Sequence, residues 1–205
     1  NNVEKVIANS EYTKNLAINN GVEQDKIIVI NPGADPVQEL NKKSLEKVES
    51  LLKVKATPEI VSKNLAELKA NKISSKETNN IVLGADSVID LNGEIISKPS
   101  SRKEALNILK NLNGKKHYLI SSVCISKNGS MIWNFTDKAS LTMKKMSDID
   151  IKEYLNKIKD ELLYAYNVYQ IEGEGRSLFT KIEGDENTIM GLPIKQIKDY
   201  LKNYE

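Results

Sequence analysis

The chain has 205 residues, of which 40% are hydrophobic and 28% charged, with a formal net charge of +2. Acids and bases so nearly balanced make no basic stripe, which argues against a nucleic-acid partner, and the lack of any long apolar run excludes a helical membrane span. The single cysteine, Cys124, can form no intrachain disulfide. It sits in the apolar alternation SSVCIS, which points to a reduced, strand-buried thiol and a cytoplasmic setting.

From the N-terminus, Glu11 to Asn19 reads as a helix with Leu16 inward, stopped by Gly21. Lys26 to Ile30 then reads as a strand ending at Asn31-Pro32-Gly33. Between residues 37 and 54, Val37, Leu40, Leu45, Val48, Leu51 and Leu52 recur at near-helical spacing, with lysines and glutamates on the remaining face of an amphipathic helix. Thr57-Pro58 opens another helix with a hydroxyl N-cap and a proline in its first turn. Val61, Leu65 and Leu68 face inward there, leaving Lys69 at the rim.

Residues 81–99, IVLGADSVIDLNGEIISKP, carry the sharpest signal. The β-forming run Ile81-Val82-Leu83 wants a core, yet it leads into Asp86, whose ionised carboxylate is costly to desolvate. Such a group faces a cleft, a cation or a hydrogen-bond partner, so Asp86 is a site candidate. Asn92-Gly93 is a two-residue hairpin signal that returns the chain toward Lys98, and Pro99 holds Lys98 out of helical geometry. A carboxylate and an ammonium at one cleft mouth suit a metal-phosphate substrate, with the acid holding metal or activating water and the amine neutralising phosphate oxygens.

Ser101 with Glu104 reads as a capping box for a helix whose inner stripe is Ala105, Leu109 and Leu112, ended by Asn113-Gly114. His117, the only histidine, lacks companions for a zinc site and reads as a hydrogen-bonded structural residue. Residues 118–126 and 130–143 read as antiparallel strands about Lys127-Asn128-Gly129, with Trp133 and Phe135 in the core. Ser147-Asp148 opens a helix through Ile151, Tyr154, Leu155 and Ile158. In VYQIEGEGRSLF, residues 168–179, a strand reading with period-two alternation puts Gln170 and Glu172 on one face. Gly191-Leu192-Pro193 starts the last helix, with Ile194, Ile197 and Leu201 inward. The alternation of helices and strands argues an α/β fold.

The strand ending in GADSV, the hairpin with NGEIISKP, SRKEALNILKNLNGKKH, SLTMKKMSD, YQIEGEGRSLF, KIEGD and MGLP occur in the order found in Maf nucleoside triphosphate pyrophosphatases. From about Thr57 to the C-terminus the chain resembles that family, in its alphaproteobacterial branch. The resemblance implies a Maf-like (ITPase-like) mixed twisted sheet with flanking helices and a central cleft. It implies a cytoplasmic, commonly homodimeric enzyme that hydrolyses non-standard or pyrimidine nucleoside triphosphates to monophosphate and pyrophosphate with Mg²⁺ or Mn²⁺. Asp86 falls on the catalytic acid and metal contact, Lys98 on the KP lysine, and Lys69 in Leu65-Ala66-Glu67-Leu68-Lys69-Ala70 on a phosphate contact. Gln170 falls on a substrate contact and Glu172 on a metal contact.

The family's S-x-S-P-R-R phosphate loop and the acidic pair after it are missing. Residues 6–36 instead resemble the interdomain segment of two-domain (GT-B) glycosyltransferases. The expected division is therefore an atypical segment over 1–56 and a Maf-like domain over 57–205 that lacks its first strand and phosphate loop. A diverged family start, with Ser10, Thr13 and Lys14 in place of the loop, is the alternative. The functional alternatives are a catalytically impaired nucleotide-binding domain produced by gene fusion and a glycosyltransferase accessory fragment.

Overall fold

The computed structural model describes residues 5–8, 14–15, 18–19, 21, 24, 27–29, 38–77, 79–165 and 167–204, with backbone alone at 5–8, 27–29, 38–41, 44–45, 161 and 164–165. The described strands are β1 (Lys5–Ala8), β2 (Ile27–Val29), β3 (Ile81–Leu91), β4 (Glu94–Ile96), β5 (Lys116–Lys127), β6 (Ser130–Met143) and β7 (Phe179–Glu183). They form one sheet in the order β2-β1-β3-β5-β6-β7, with β4 added on β3. β1 runs parallel to β2 and β3, and every other pairing is antiparallel. The helices are α1 (Gln38–Lys53), α2 (Pro58–Ser74), α3 (Arg102–Leu112), α4 (Asp148–Lys157), α5 (Asp160–Ala165), α6 (Glu186–Ile189) and α7 (Ile194–Lys202).

Both faces of β3 are covered, which explains its nearly continuous apolar run. On one face Ile81, Leu83 and Ala85 pack with Val123, Ile125 and the α7 residues Ile194 and Ile197. Trp133 and Phe135 pack against this cluster, and Trp133 stacks on Tyr200 at 4.8 Å, so the aromatic pair is core as expected. On the other face α2 sets Val61 and Leu65 against Val88 and Ile120, and Ala66 and Ala70 against Cys124. At the far end of the sheet α3 and α4 close a third cluster around Leu109, Leu112, Ile151 and Leu141. Both hairpins turn through positive φ, at Asn92 (56°) and Gly93 (89°) and at Asn128 (52°) and Gly129 (80°). That is the geometry Asn-Gly favours.

Four details correct the sequence reading. Lys5–Ala8 supplies the strand expected to be missing beside β3; the loop motif is absent, but the β-forming Val6-Ile7 pair needs no such motif to form a strand. Leu52 is 48% exposed, while Val48 and Leu51 pack against the α2 cluster, and Lys55, at φ 54°, ends α1 with its N–H on Leu52 O. The α3 cap is shared: Ser101 Oγ accepts from Glu104 N at 3.2 Å, while the Glu104 carboxylate accepts from Ser100 N at 2.8 Å and Ser100 Oγ at 2.6 Å. Near the N-terminus Lys14–Asn15 and Ile18–Asn19 are helical and Gly21 stops the turn at φ 88°, whereas Ser10, Thr13, Leu16 and Asn31-Pro32-Gly33 lie outside the described residues. The fourth correction concerns residues 168–179 and belongs with the site.

Candidate active site

β3 is longer than its neighbour on one edge. β5 occupies one side from Ile81 to Asp90, while on the other β1 reaches only Val82 and Leu83, and β4 begins again at Ile89. Asp86, Ser87 and Val88 therefore have no strand partner on that side among the described residues. A parallel strand that stops beside a longer one, with a reversal of strand direction next to it, is where α/β sheets place ligands.

Asp86 sits in this gap, in mid-strand rather than at a strand end, where the burial of β3 is interrupted. Its side chain points to the α2 face, and Gly84, two residues before it, sets how close α2 comes. A Cβ on Gly84 would lie 2.6 Å from Ala66 O and 2.8 Å from Ala70 N, both backbone atoms. Ser62 Oγ donates to Asp86 O at 2.9 Å and to Ile120 O at 3.3 Å, fastening the helix to the strands. The close approach brings Lys69 onto the gap, where its ammonium pairs with Asp86 Oδ1 and reaches Ala85 O at 3.4 Å. The two side chains are 16% and 15% exposed. Asp86 Oδ2 has no protein partner among the described residues.

The β3–β4 hairpin returns Lys98 to the same neighbourhood. Lys98 is exposed. Desolvation by the surrounding protein lowers its ammonium to about 8, with Asp86 raising it and Lys69 lowering it further. Three charges thus share one region.

Gln170 and Glu172 do not share a strand face. Residues 171–173 form a turn and Glu174–Leu178 a 3-10 helix. The chain doubles back so tightly that a Cβ on Gly175 would lie 2.5 Å from Gln170 O. Val168, Tyr169 and Ile171 are all buried, which breaks period-two alternation, and the adjacent pair Val168-Tyr169 already carried that signal. His117 Nε2 and Tyr169 OH meet at 2.9 Å in the core, and burial lowers the imidazole to about 4, so it is a neutral structural partner as expected. Tyr154 OH donates to Val168 O at 3.1 Å, and Asn167 Nδ2 to Ile96 O at 3.4 Å. The last contact lays this loop beside the segment carrying Lys98. The protein around Glu172 raises its carboxyl above the usual range, against a backbone hydrogen bond. Arg176 lies 3.8 Å from Glu186 in an exposed ion pair.

No three carboxylate, imidazole or thiol groups converge to hold a metal among the described residues. Asp86 Oδ2 offers a single unpartnered carboxylate oxygen. That donor set does not cage a resident ion, but it fits one that arrives with most of its ligands on substrate phosphates, as Mg²⁺ does.

The sequence reading missed the opposite face of the gap. Ser87 Oγ meets Ser121 Oγ at 2.8 Å, Ser121 Oγ donates to Thr188 O at 2.7 Å, and Thr188 Oγ1 donates to Asp137 Oδ2 at 2.6 Å. Ser121 and Thr188 are fully buried. The available signal was the Ser121-Ser122 pair in the middle of an apolar strand, opposite Asp86-Ser87.

Comparison with known proteins shows the family. The family model described as Maf-like protein matches residues 20–204. The chain belongs to the Maf-like family. It is 75% identical over 154 residues to a nucleoside triphosphate pyrophosphatase of Pelagibacter ubique, a match covering 75% of this chain and 79% of that protein. It is 43% identical over 138 residues to a 7-methyl-GTP pyrophosphatase of Bartonella quintana, covering 67% and 70%. The Ham1 protein of Staphylococcus aureus aligns over 98% of this chain at 12% identity with a TM-score of 0.41, below the level that establishes a shared fold. The Maf-like match crosses the junction expected at 56/57, and these likenesses lend the glycosyltransferase resemblance of residues 6–36 no support.

Proposed function

We propose that the chain hydrolyses nucleoside triphosphates, of non-standard or pyrimidine type, to nucleoside monophosphate and pyrophosphate in the gap beside Asp86. The observation that carries this reading is a half-buried carboxylate with one oxygen that has no partner among the described residues and with two ammonium groups interacting with it. In the free protein Lys69 neutralises Asp86. A triphosphate competes for Lys69, and its arrival releases the carboxylate to accept a proton from water. That water attacks the α-phosphorus, the α–β bridging oxygen leaves with pyrophosphate, and the proton passes to Asp86. Lys69 and Lys98 hold the phosphate oxygens, with charge-assisted contacts of about 1.5–3 kcal/mol each.

Gln170 and Glu172, on the loop tied to Ile96, are the substrate and metal contacts in this reading. A divalent ion carried on the phosphates would sit on Asp86 Oδ2 and Glu172 and supply further charge neutralisation. Without the two loop arginines, more of the phosphate charge falls on the lysines, and turnover is expected to be slower than an arginine-bearing site allows. A buried free Cys124 supports a reducing compartment such as the cytoplasm, and among the described residues no helix is long and apolar enough to cross a membrane.

The test is pyrophosphate release from a panel of nucleoside triphosphates with Mg²⁺ or Mn²⁺. Asp86→Asn is expected to lower turnover by at least about 100-fold. Undiminished turnover in that variant would overturn the assignment.

A further inference from the structure

Gln170 stands on a loop, so no sheet ladder holds it and its place depends on what grips the residues beside it. On its C-terminal side the contacts are local: Gly173 N donates to Gln170 O at 3.2 Å, a Cβ on Gly173 would lie 3.6 Å from Gln170 Oε1, and Gly175 presses on the Gln170 backbone. They shape the loop but move with it. On its N-terminal side the grip is long-range. Tyr154 OH holds Val168 O at 3.1 Å, and the Tyr169 hydroxyl meets Nε2 of His117, 52 positions away on β5, at 2.9 Å. β5 is the strand that runs along β3 and sets Ser122 opposite Asp86. The residue before Gln170 is therefore tied to the sheet that carries Asp86.

Both side chains of this pair are buried, and Tyr169 stands edge-on to the Phe179 ring at 4.9 Å. Burial outweighs what the Lys115 backbone offers the imidazole, and Nδ1 has no partner at full hydrogen-bonding geometry among the described residues. Apolar side chains of similar size would fill this space without leaving a buried nitrogen unpartnered, so packing alone does not call for the pair. A hydrogen bond adds direction, fixing the depth and tilt of the Tyr169 ring and with them the course of the chain at the next residue. We propose that His117 and Tyr169 are positioning residues that hold Gln170 at a set distance from Asp86, so that the loop meets the substrate in the register the phosphates require. The inference rests on the nucleoside triphosphate reading above and adds to it: the loop's affinity for substrate is set from within the core, by two buried groups.

Two measurements on the full chain test this, one of them without any ligand. Tyr169→Phe keeps the ring and removes only the hydroxyl. Amide hydrogen exchange is expected to quicken about tenfold or more at Gly173 and Arg176, whose N–H groups close the loop on Gln170 O and Gly173 O, and to stay as in wild type along β5. Nucleoside triphosphate affinity, measured calorimetrically without divalent metal so that nothing turns over, is expected to fall about 3- to 10-fold, the worth of one neutral hydrogen bond. It should fall no further when Tyr169→Phe is added to Gln170→Ala, because the group being positioned is already gone. His117→Gln, whose amide can reach the Tyr169 hydroxyl, recovers most of what His117→Leu loses. His117→Leu combined with Tyr169→Phe removes both partners and the orphaned nitrogen, so the melting temperature returns toward wild type while the affinity loss remains. Unchanged exchange in Tyr169→Phe overturns the proposal, as does a full affinity loss that persists beside Gln170→Ala. An affinity that follows the melting temperature through all the variants makes the pair structural only and overturns it too. If the wild type binds the nucleotide but releases no pyrophosphate with metal present, the catalytic reading fails while exchange and affinity still decide the role of the pair.

Discussion

Asp86 and Asp90 stand four residues apart on the same face of one strand, each facing a lysine, and they differ in what their second oxygen does. Asp90 is 6% exposed and fully partnered: Oδ1 accepts from Gly93 N at 2.6 Å inside the hairpin, and Oδ2 faces Lys138 Nζ at 3.4 Å. Lys138 is itself committed, 3.2 Å from Glu59 Oε1 and 4.1 Å above the Tyr118 ring. Asp86 pairs one oxygen with Lys69, leaves the other without a partner among the described residues, and interacts electrostatically with Lys98. Ion pairing alone therefore does not separate a structural carboxylate from the one proposed to be reactive. The second oxygen does, because an acceptor that no described group occupies is open to a ligand.

The sharpest break of this comparison comes from exchanging the two losses. Asp86→Asn is expected to remove at least about 100-fold of turnover with the melting temperature nearly unchanged. Asp90→Ala is expected to do the reverse, costing about 1–3 kcal/mol through the orphaned Gly93 N–H and the uncompensated Lys138, with turnover per folded molecule preserved. Thermal melts and initial rates on both variants decide it. If both lose activity alike, the two carboxylates form one site.

Gly84→Ala attacks the approach that makes the Asp86 pair possible. The new methyl group meets the backbone of α2 at Ala66 and Ala70, which cannot rotate away, so helix and strand must separate. Overpacking of this kind costs about 1–3 kcal/mol, and by displacing Lys69 it is expected to lower kcat/KM about tenfold or more. A variant that melts early yet keeps full kcat/KM would show that Lys69 is dispensable.

How far the sequence reached follows the same physics. The α2 cap, both Asn-Gly turns, the strands on either side of them and the meeting of Asp86 with Lys69 and Lys98 were legible, because each rests on local geometry or on a colinear family pattern. The 168–179 segment was misread as a strand because Gln170 and Glu172 sit two apart. The tight contact of Gly175 with Gln170 is a fold-back that no alternation pattern encodes. The Ser87 to Asp137 chain was invisible for another reason: its links join residues 34, 67 and 51 positions apart, and only the sheet register brings them together.

A smaller effect sharpens the Asp86 side through pH. The Lys98 ammonium, lowered to about 8, is charged below that value and neutral above it. The phosphate contact proposed for it would be present at pH 7 and lost as pH rises. Since kcat/KM reports ionisations of the free enzyme, it should fall by up to about tenfold by pH 9. Lys98→Arg, whose guanidinium stays charged, should hold kcat/KM level over the same range. A midpoint that stays near 8 in the arginine variant would assign the ionisation elsewhere.

The smallest effect expected is that of Lys138→Met, and it tests whether the Asp90 pair is merely structural. The thioether stem keeps much of the packing over Tyr118, so the change removes mainly charge. The Lys138 side chain is 39% exposed, and solvent screening holds its pair with Glu59 to about 1 kcal/mol or less. Asp90 keeps its Gly93 bond, which limits the damage inside the hairpin. The melting temperature should drop by about 2–4 °C, with kcat/KM within about twofold of wild type. Lys138 carries one positive charge on the same face as Lys69, so a long-range contribution to phosphate attraction would appear as a larger loss of kcat/KM that shrinks with added salt. A salt-sensitive loss beyond about tenfold would mean that the two pairs act as a single electrostatic unit, and the distinction drawn from their oxygens would no longer hold.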